Sequence, residues 1–525
     1  MSSTHKPWIY AAALLSASAL LSRVVGYARD VVLAAQLGAG PQTDAYFAAF
    51  LLPDVLYYLL SGGAFSLAFL PLFTRLQAQD ERERAWRLFT WLAVGGTLVL
   101  GLTLTVAWHY VPHFVAIAYR GMDAETQALT VSLTRWVLPG PVFFFLGGLI
   151  AASQAAEKRF LASALPPLLY NVSILMCGLA WGSTAGAHAF AWGVLAGAIL
   201  GSFFLALVIA WPHLRWQLRG APRSAASDVR TYLVLALPLM IGVTLVTADE
   251  WFGRYFGAQV DAGALSTLQY ARRLVVLPVA LVGMAVGQAS LPYLTELWAR
   301  RDLSSFRRFL SNALTLASAL GVLATTVLML WSQELVGLLY ERGAFGAAER
   351  ERTAHALAIL APMVALWAAQ TIAVRALYAR EDTWRPMLLG TAVTALAFPV
   401  YAFGTQQFGL PGLAGASVVA FGLHLASTLL MVHRWHGDVL WGVLARALGR
   451  GALAGAAGAM AALLVAWSLP STWMQGPLGQ LLVLGVHGSV GAAILLVLLG
   501  DAGSPLRNRV AALLRRAKRG GAEAP

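Results

Sequence analysis

Long apolar stretches recur along the whole chain, and short polar segments separate them. The stretches are continuous runs rich in Leu, Ala and Gly, without the strict alternation that marks a half-buried strand. An α-helix needs about 20 residues to cross the hydrocarbon core of a bilayer. The pattern therefore predicts an all-α polytopic membrane protein. We assign about fourteen spans, which cover residues 9–36, 44–74, 88–111, 126–154, 160–182, 188–211, 231–256, 263–294, 308–332, 353–379, 385–404, 410–433, 442–469 and 477–500.

The composition agrees with the membrane class. Of the 525 residues, 59% are hydrophobic and 12% are charged, whereas an average soluble domain has about 25% charged residues. A soluble fold of this size would lack a charged shell, so a soluble enzyme is excluded. The net charge of +13 would favour nucleic acid binding in a soluble protein. Here most basic residues lie in short loops, and we expect no nucleic acid partner.

The basic residues also predict the orientation of the spans. Loops rich in Lys and Arg face the cytoplasm. If the N-terminus is cytoplasmic, the cytoplasmic loops and the C-terminal tail hold most of the 37 basic residues. The basic residues left on the opposite face are Arg120, Arg254, Arg342, Arg350 and Arg352. We predict an even number of spans with both termini in the cytoplasm.

A weak internal repeat predicts two halves. Pro53 and Gly62 in span 2 have the same spacing as Pro278 and Gly287 in span 8, and an L-P-x-x-T-x-L string follows in each. Parallel repeats of this kind are common in transporters. The predicted organisation is an N-terminal lobe (1–220), a C-terminal lobe (221–436), spans 13 and 14 (437–503) and a basic cytoplasmic tail (504–525).

Several Arg residues fall inside the predicted spans, where a charge costs a few kcal/mol or more unless it faces a cavity or a partner. Span 1 contains Arg23 and Arg29, and span 8 contains the neighbours Arg272 and Arg273. Adjacent residues on a helix point in different directions, so we expect one of the span 8 pair to face a cavity. Guanidinium groups bind phosphate in a bidentate manner. These four residues are therefore candidate ligands of a phosphate or pyrophosphate group, although snorkelling or a structural ion pair remains an alternative for each.

The acidic residues of the spans are candidates for gating or charge pairing. Asp30 could pair with Arg23 or Arg29. In span 7, Asp249 and Glu250 could hold a coupling cation or a proton, or they could neutralise Arg254 and Arg273, which is the interpretation we favour. The full acidic set is Asp30, Asp44, Asp54, Asp249 and Glu250, and the candidate hinge residues are Gly26, Pro53, Gly62 and Gly63.

The sequence has no recognisable catalytic motif. It contains no P-loop, no HExxH string and no nucleophile elbow, and its His residues lack the spacing of metal ligands. We therefore predict a transporter that is not an enzyme and has no cofactor and no bound metal. A coupling cation or the membrane potential would have to drive it.

Six strings make the sequence similar to one known family, the MurJ/MviN family of lipid II flippases, which belongs to the multidrug/oligosaccharidyl-lipid/polysaccharide exporter superfamily. They are SRVVGYARDVVLAAQLGAGPQTDAYFAAFLLPDVL, SGGAFSLAFLPLFTRL, LPPLLYN, GALSTLQYARRLVVLP, LLYERGAF and RALYAREDTWRP. The resemblance covers nearly the whole chain, in order.

The resemblance implies a fold and an activity. The fold is a V-shaped pair of six-helix lobes with an Arg-lined cavity and alternating access, and the last two helices form a groove for a polyprenyl tail. The substrate is lipid II, the undecaprenyl-pyrophosphate-linked peptidoglycan precursor, which is moved across the bacterial cytoplasmic (inner) membrane. The functional residues of the family fall on Arg23, Arg29, Asp44 and Arg273.

The sequence also departs from the family pattern. Asp54, Tyr57 and Tyr58 stand where the family has an Asn and two basic residues, and Arg272 replaces an acidic residue. Span 11 has no Asn or Asp, so the sodium coupling of some members is not carried over. Membrane potential acting on the Arg residues is an alternative driving force.

Two other functions stay open at this stage. A transporter of another undecaprenyl-pyrophosphate-linked glycan, such as an O-antigen or capsule unit, would use the same fold and the same phosphate chemistry. A membrane scaffold that transports nothing would not need Arg residues inside its spans, which argues against it.

Overall fold

The structure, a computed structural model, describes residues 6–61, 68–217, 226–436, 441–470 and 476–499. Gly62 and Gly63, two of the candidate hinge residues, lie outside the described residues, as does the predicted tail 504–525. Within the described ranges the regular structure is helical, apart from one isolated β-bridge between Arg342 and Phe345.

The helices follow one another with short connections. In chain order they are α1 (Lys6–Leu37), α2 (Pro41–Ala48), α3 (Leu51–Ser61), α4 (Leu70–Ala78), α5 (Arg82–Ala118), α6 (Ala124–Val137), α7 (Gly140–Ala156), α8 (Leu161–Ala164), α9 (Pro166–Ala185), α10 (Ala187–Ala196), α11 (Leu205–Gln217), α12 (Ala226–Ile241), α13 (Leu245–Gly257), α14 (Ala264–Val279), α15 (Ala285–Ala299), α16 (Leu303–Leu330), α17 (Ser332–Tyr340), α18 (Ala347–Leu360), α19 (Met363–Tyr378), α20 (Trp384–His436), α21 (Trp441–Ser468) and α22 (Pro477–Leu498). Two π-helical segments, Gly197–Phe204 and Ala280–Met284, join α10 to α11 and α14 to α15.

The predicted all-α polytopic class is confirmed. Ten helical segments in the described part of the chain are long and apolar enough to cross a membrane. Each predicted span contains at least one helix in its described part, but the exact count of fourteen stays a prediction. The long helix α20 covers predicted spans 11 and 12, and the two parts meet at Gly409, whose φ of 59° breaks the helical backbone. A left-handed conformation of this kind favours Gly, because it has no Cβ.

The chain divides into two compact units. Unit 1 consists of residues 1–242, 253–266 and 340–346. Unit 2 consists of residues 243–252, 267–339 and 347–525. Unit 1 thus contains the N-terminal part of the chain together with two short segments from the second half of the sequence.

Small residues allow close helix packing inside unit 1. A Cβ added to Gly147 of α7 would lie 1.9 Å from the carbonyl oxygen of Ser202, and one added to Gly193 of α10 would lie 2.6 Å from the Cα of Ile174 on α9. Close backbone approach through Gly is typical of membrane helix interfaces, where packing and hydrogen bonds replace the hydrophobic effect.

The segment 340–346 packs against the end of α1 in unit 1. The backbone N–H of Ala344 donates to the carbonyl oxygen of Ala35, with 2.7 Å between the two atoms. Gly343 has a φ of 59°, and a Cβ there would lie 2.1 Å from the same oxygen. The turn in the ERGAF string therefore requires Gly for both its conformation and its contact.

Unit 2 has its main core around α15, α16, α19 and α20, with Phe306, Leu314, Ile372 and Leu377 fully buried. The last two helices pack against α16 through Gly residues. A Cβ on Gly451 of α21 would lie 2.7 Å from the carbonyl oxygen of Ala319. The outward sides of α21 and α22 carry exposed apolar side chains, among them Leu453, Met460, Leu464, Trp467, Leu478 and Val497.

Candidate functional site

Arg29 forms the centre of a polar cluster on α1. Its Nη2 and Nε lie 2.7 Å and 3.0 Å from Oδ1 of Asp30, and its Nη1 donates to Oδ1 of Asn171 on α9 at 2.9 Å. The Asn171 amide in turn donates to Oγ of Ser22 at 3.1 Å. The predicted pairing of Asp30 with one of the two span 1 Arg residues is thus found for Arg29. The half-buried Arg29 guanidinium already donates hydrogen bonds to Asp30 and Asn171, so fewer of its N–H groups are left for a ligand.

Arg23 is differently placed on the same helix. Its side chain is exposed, and no ion pair with a carboxylate is found for it among the described residues. Helix α1 runs without interruption through Gly26, where a Cβ would meet the Asn171 side chain at 3.6 Å, an ordinary contact. Gly26 therefore does not interrupt the helix in this structure, and the five donors of Arg23 are available to a ligand.

Span 2 is interrupted close to Pro53. Helix α2 ends at Ala48 and α3 begins at Leu51, so Pro53 lies in the first turn of α3. Pro is tolerated there because the first turn of a helix has no internal partner for its N–H groups. The sequence marked this position as a hinge, and the structure places a helix break beside it.

Asp44, on α2, caps a helix from elsewhere in the sequence. Its carboxylate is buried and accepts hydrogen bonds from the backbone N–H groups of Gly263 at 2.5 Å and Ser266 at 2.7 Å. Both donors lie at the start of α14, and all of these residues belong to unit 1. A carboxylate at a helix N-terminus satisfies free N–H groups and also interacts favourably with the helix dipole. Asp44 thus ties α2 to the beginning of the helix that carries Arg272 and Arg273.

Asp54 pairs with Arg254, also inside unit 1. The Arg254 Nη1 lies 2.5 Å from Oδ2 of Asp54, and the guanidinium carbon lies 5.9 Å from the centre of the Phe50 ring. The sequence offered the span 7 carboxylates as partners of Arg254, and that pairing stays a prediction beside the observed contact with Asp54.

The two Tyr residues that replace the basic pair of the family have structural contacts. The Tyr58 hydroxyl donates to the carbonyl oxygen of Gly242 at 2.7 Å. The Tyr57 ring packs edge-on against Phe144, with 6.0 Å between ring centres. At these positions aromatic packing and a neutral hydrogen bond take the place of positive charge.

A second polar cluster lies in unit 2 around Asp249. Its carboxylate forms an ion pair with Arg272, whose Nη1 also donates to the Asp249 carbonyl oxygen at 2.9 Å. Ser417 donates to the same carboxylate at 2.7 Å, and the Tyr401 hydroxyl donates to it as well. The side chains of Arg272 and Asp249 are 5% and 2% exposed, so each buried charge is compensated by the other, although Nε of Arg272 has no hydrogen-bond partner among the described residues. Arg272 is thus a partner of Asp249 that the sequence did not suggest, and the pairing of Asp249 and Glu250 with Arg254 and Arg273 stays a prediction.

The residues that follow Asp249 and Arg272 in the sequence are exposed rather than buried. Arg273 and Glu250 both have exposed side chains, while Arg272 and Asp249 are buried. The expectation that only one of the two neighbouring Arg residues faces open space fits this geometry. It favours Arg273 over Arg272 as a phosphate ligand, because the Arg272 guanidinium is occupied by Asp249.

Three residues of these clusters were not among the candidates from the sequence. Asn171, Tyr401 and Ser417 hold the buried carboxylates and guanidinium groups in place. An Asn within an apolar span is itself a signal, because its amide needs partners in the membrane. Tyr and Ser are too common in such spans to be selected without coordinates. The described residues contain no group of three or more His, Cys, Asp or Glu side chains placed to hold a metal ion.

Comparison with solved structures defines the class of protein first. A structure described as "Lipid II flippase MurJ, inward closed conformation" matches with a TM-score of 0.72 and 20% identity, over 92% of this chain and 98% of that chain. A multidrug resistance MATE family transporter of the MOP superfamily matches with a TM-score of 0.65 and 12% identity, over 80% of this chain and 95% of that chain. The chain therefore has the same fold as these two solved structures.

Comparison of sequences then gives the family. The model of the family "Lipid II flippase MurJ" matches residues 33–486. A probable lipid II flippase MurJ of Rhizobium tropici is 29% identical over 80% of each chain, and one of Vibrio cholerae is 25% identical over 93% of this chain and 94% of that one. This chain belongs to the MurJ family, and the resemblance found in its motifs is confirmed.

Proposed function

We propose that this chain is a flippase that moves lipid II from the inner to the outer leaflet of the bacterial cytoplasmic membrane by alternating access. The observation that carries the proposal is the family match over residues 33–486, which spans nearly the entire described helical bundle. Relatives of similar length bear the name lipid II flippase. The protein is then a transporter that serves cell-wall synthesis and performs no covalent chemistry.

We propose that Arg23 on α1 is a ligand of the substrate pyrophosphate, and that Arg273 on α14 is a second candidate ligand. Both guanidinium groups are exposed, on helices that the sequence predicts to lie within the membrane. Arg29 supports the site as a positioning residue, because Asp30 and Asn171 already hold it. Charge-assisted bidentate bonds to phosphate are stronger and more directional than neutral ones. An exposed guanidinium on a predicted membrane helix therefore suits an anionic head group.

We propose that Asp44 acts in gating. Its two bonds to the start of α14 are short and charge-assisted, so they hold this contact closed. They are also few and local, which allows them to break and re-form during a transport cycle. The sequence assigned Asp44 to gating or charge pairing, and the helix cap supplies a physical mechanism for the gating role.

We propose that the membrane potential drives transport in this chain. The carboxylate of Asp249 is already neutralised by Arg272, a cation that belongs to the protein itself. A mobile coupling cation would have to displace that guanidinium. The potential supplies about 2.3 kcal/mol per elementary charge per 100 mV, and a transported pyrophosphate carries more than one negative charge. The proposed topology has both termini in the cytoplasm.

Complementation of a strain depleted of its own lipid II flippase tests this proposal. The unmodified chain should restore growth. Arg23→Ala should abolish rescue while the protein remains in the membrane, and Arg23→Lys should rescue only in part, because Lys keeps the charge without the bidentate geometry. Arg120→Ala, which removes an exposed Arg from a loop, is the matched control and should rescue fully. Full rescue by Arg23→Ala would contradict the phosphate-binding role.

A further inference from the structure

Arg135 on α6 is a membrane-level cation that the proposed transport does not use. Its guanidinium carbon lies 4.4 Å from the centre of the Trp108 ring on α5. No carboxylate pairs with it among the described residues, and its buried Nε has no hydrogen-bond partner there. Stacking on an aromatic face stabilises a guanidinium but leaves the donors at its edge available.

The Arg135 side chain lines a cavity on the surface of unit 1. This cavity has a volume of about 500 Å³ and is lined by Trp108, Ser132, Arg135, Trp136 and Leu195, together with small apolar residues. Its only charged lining group is Arg135. Such a cavity complements a single anionic group that has apolar substituents.

The aromatic side chains around Arg135 indicate the depth of the cavity. Trp108 and Trp136 are 41% and 43% exposed, and the Trp136 ring lies 6.1 Å from the ring of Trp192 on α10. Trp residues of membrane proteins gather at the level of the lipid head groups. Below Trp108, α5 exposes the apolar side chains of Leu98 and Leu102, a surface suited to acyl chains. The charges of the loops predict that this end of unit 1 lies outside.

A larger polar cavity adjoins the first one. Its volume is about 1040 Å³, and its polar lining includes Gln42, Glu125, Thr184 and His188. Ala128 lines both cavities, and Oγ of Ser132 in the first lies 2.9 Å from Nε2 of His188 in the second. A lipid phosphate at Arg135 would therefore have space beside it for a head group rich in hydroxyls.

We propose that Arg135 and Trp108 form a binding site for the phosphate of an anionic lipid in the outer leaflet, with the acyl chains along α5 and the polar head group in the larger cavity. Phosphatidylglycerol fits this site better than phosphatidylcholine, because its glycerol hydroxyls can donate hydrogen bonds to the polar lining of the larger cavity, which includes the carboxylates of Asp123 and Glu125, whereas a choline head group has no donor. This site is distinct from the proposed substrate ligands Arg23 and Arg273, and it does not depend on the transported substrate.

Native mass spectrometry of the full-length protein, titrated with phosphatidylglycerol, tests the site. We expect one tightly bound lipid whose affinity falls about tenfold or more in Arg135→Gln, as for the loss of a charge-assisted contact. Arg120→Gln removes an exposed Arg on the same end of unit 1 and should bind like the unmodified protein. Trp108→Ala keeps the charge but removes the ring that orients it, and should weaken binding to a smaller extent.

Two further titrations identify the source of the phosphate. Phosphatidylcholine should bind more weakly than phosphatidylglycerol. Inorganic phosphate at millimolar concentration should not displace the lipid. Equal phosphatidylglycerol binding by Arg135→Gln and Arg120→Gln would overturn the proposal, and so would displacement of the lipid by inorganic phosphate.

Discussion

The contact between Asp44 and the start of α14 gives a quantitative prediction for Asp44→Asn. The carboxylate accepts two backbone hydrogen bonds, from Gly263 and Ser266, in a buried position. An Asn amide has one oxygen acceptor in place of two, so at most one of the two donors keeps a good partner. A hydrogen bond to a charged group contributes about 1.5 to 3 kcal/mol. The free energy needed to open the contact between Asp44 and α14 should therefore fall by about that amount in Asp44→Asn. The equilibrium constant for opening would then rise roughly tenfold to hundredfold.

Hydrogen–deuterium exchange measures that opening directly. The backbone amides of Gly263 and Ser266 exchange when the contact opens, at a rate that follows the local opening equilibrium. We expect their exchange in the purified protein to be roughly ten to a hundred times faster in Asp44→Asn. Asp80→Asn, which removes an exposed carboxylate from a distant turn of unit 1, should leave it unchanged. Equal exchange in Asp44→Asn and the unmodified protein would refute the capping role.

Three further predictions follow from other contacts. Asp249→Ala leaves Arg272 buried without its carboxylate and should lower the free energy of unfolding by about 3 to 5 kcal/mol. This loss would be measured as a lower melting temperature. The control variant Glu250→Ala, at the exposed neighbouring residue, should have little effect on the melting temperature. Gly458→Ala should destabilise the packing of α21 on α22, because the new Cβ would lie 2.5 Å from the backbone carbonyl oxygen of His487. The control variant Gly449→Ala places its Cβ in open space and should leave the stability unchanged or raise it. Asp302 caps α16, and the backbone hydrogen bond from Ser305 lowers the Asp302 pKa to about 2. The cap therefore stabilises the fold fully above the unfolded Asp pKa of about 3.9 and is lost as the pH falls through about 2. The difference in melting temperature between Asp302→Ala and the unmodified protein should therefore not change between pH 8 and pH 5.

Much of the fold follows from hydropathy, because a membrane span has to satisfy its own backbone hydrogen bonds and be apolar over a fixed length. Predicted span 9, 308–332, corresponds to α16, Leu303–Leu330. Short-range departures were harder to predict. The helix α17 lies where a loop was expected. The helix break at residues 49–50 of span 2 depends on tertiary packing, which a hydropathy pattern cannot predict.

The candidate site was predictable where its partners are close in the sequence. The pairing of Arg29 with Asp30 involves neighbouring residues. The pairings of Arg272 with Asp249 and of Arg254 with Asp54 join different helices, and sequence spacing carries no information on which carboxylate each guanidinium will reach. Asp44 was found as a charged residue at a span end, but its capping of α14 depends on tertiary contact. The contact of Arg135 with Trp108 could not be predicted from the sequence, because the cavity beside it is formed by three helices, α5, α6 and α10.

The central claim is that the chain carries lipid II to the outer leaflet, and its most direct test is the amount of lipid II accessible at the outer face of the membrane. The measurement uses cells depleted of their own flippase and expressing this chain, with an externally added enzyme that modifies only exposed lipid II. The account predicts that accessible lipid II returns to the level of undepleted cells with the unmodified chain and stays at the depleted level with Arg23→Ala. Lipid II that remains inaccessible despite correct membrane insertion of the unmodified chain would contradict the account.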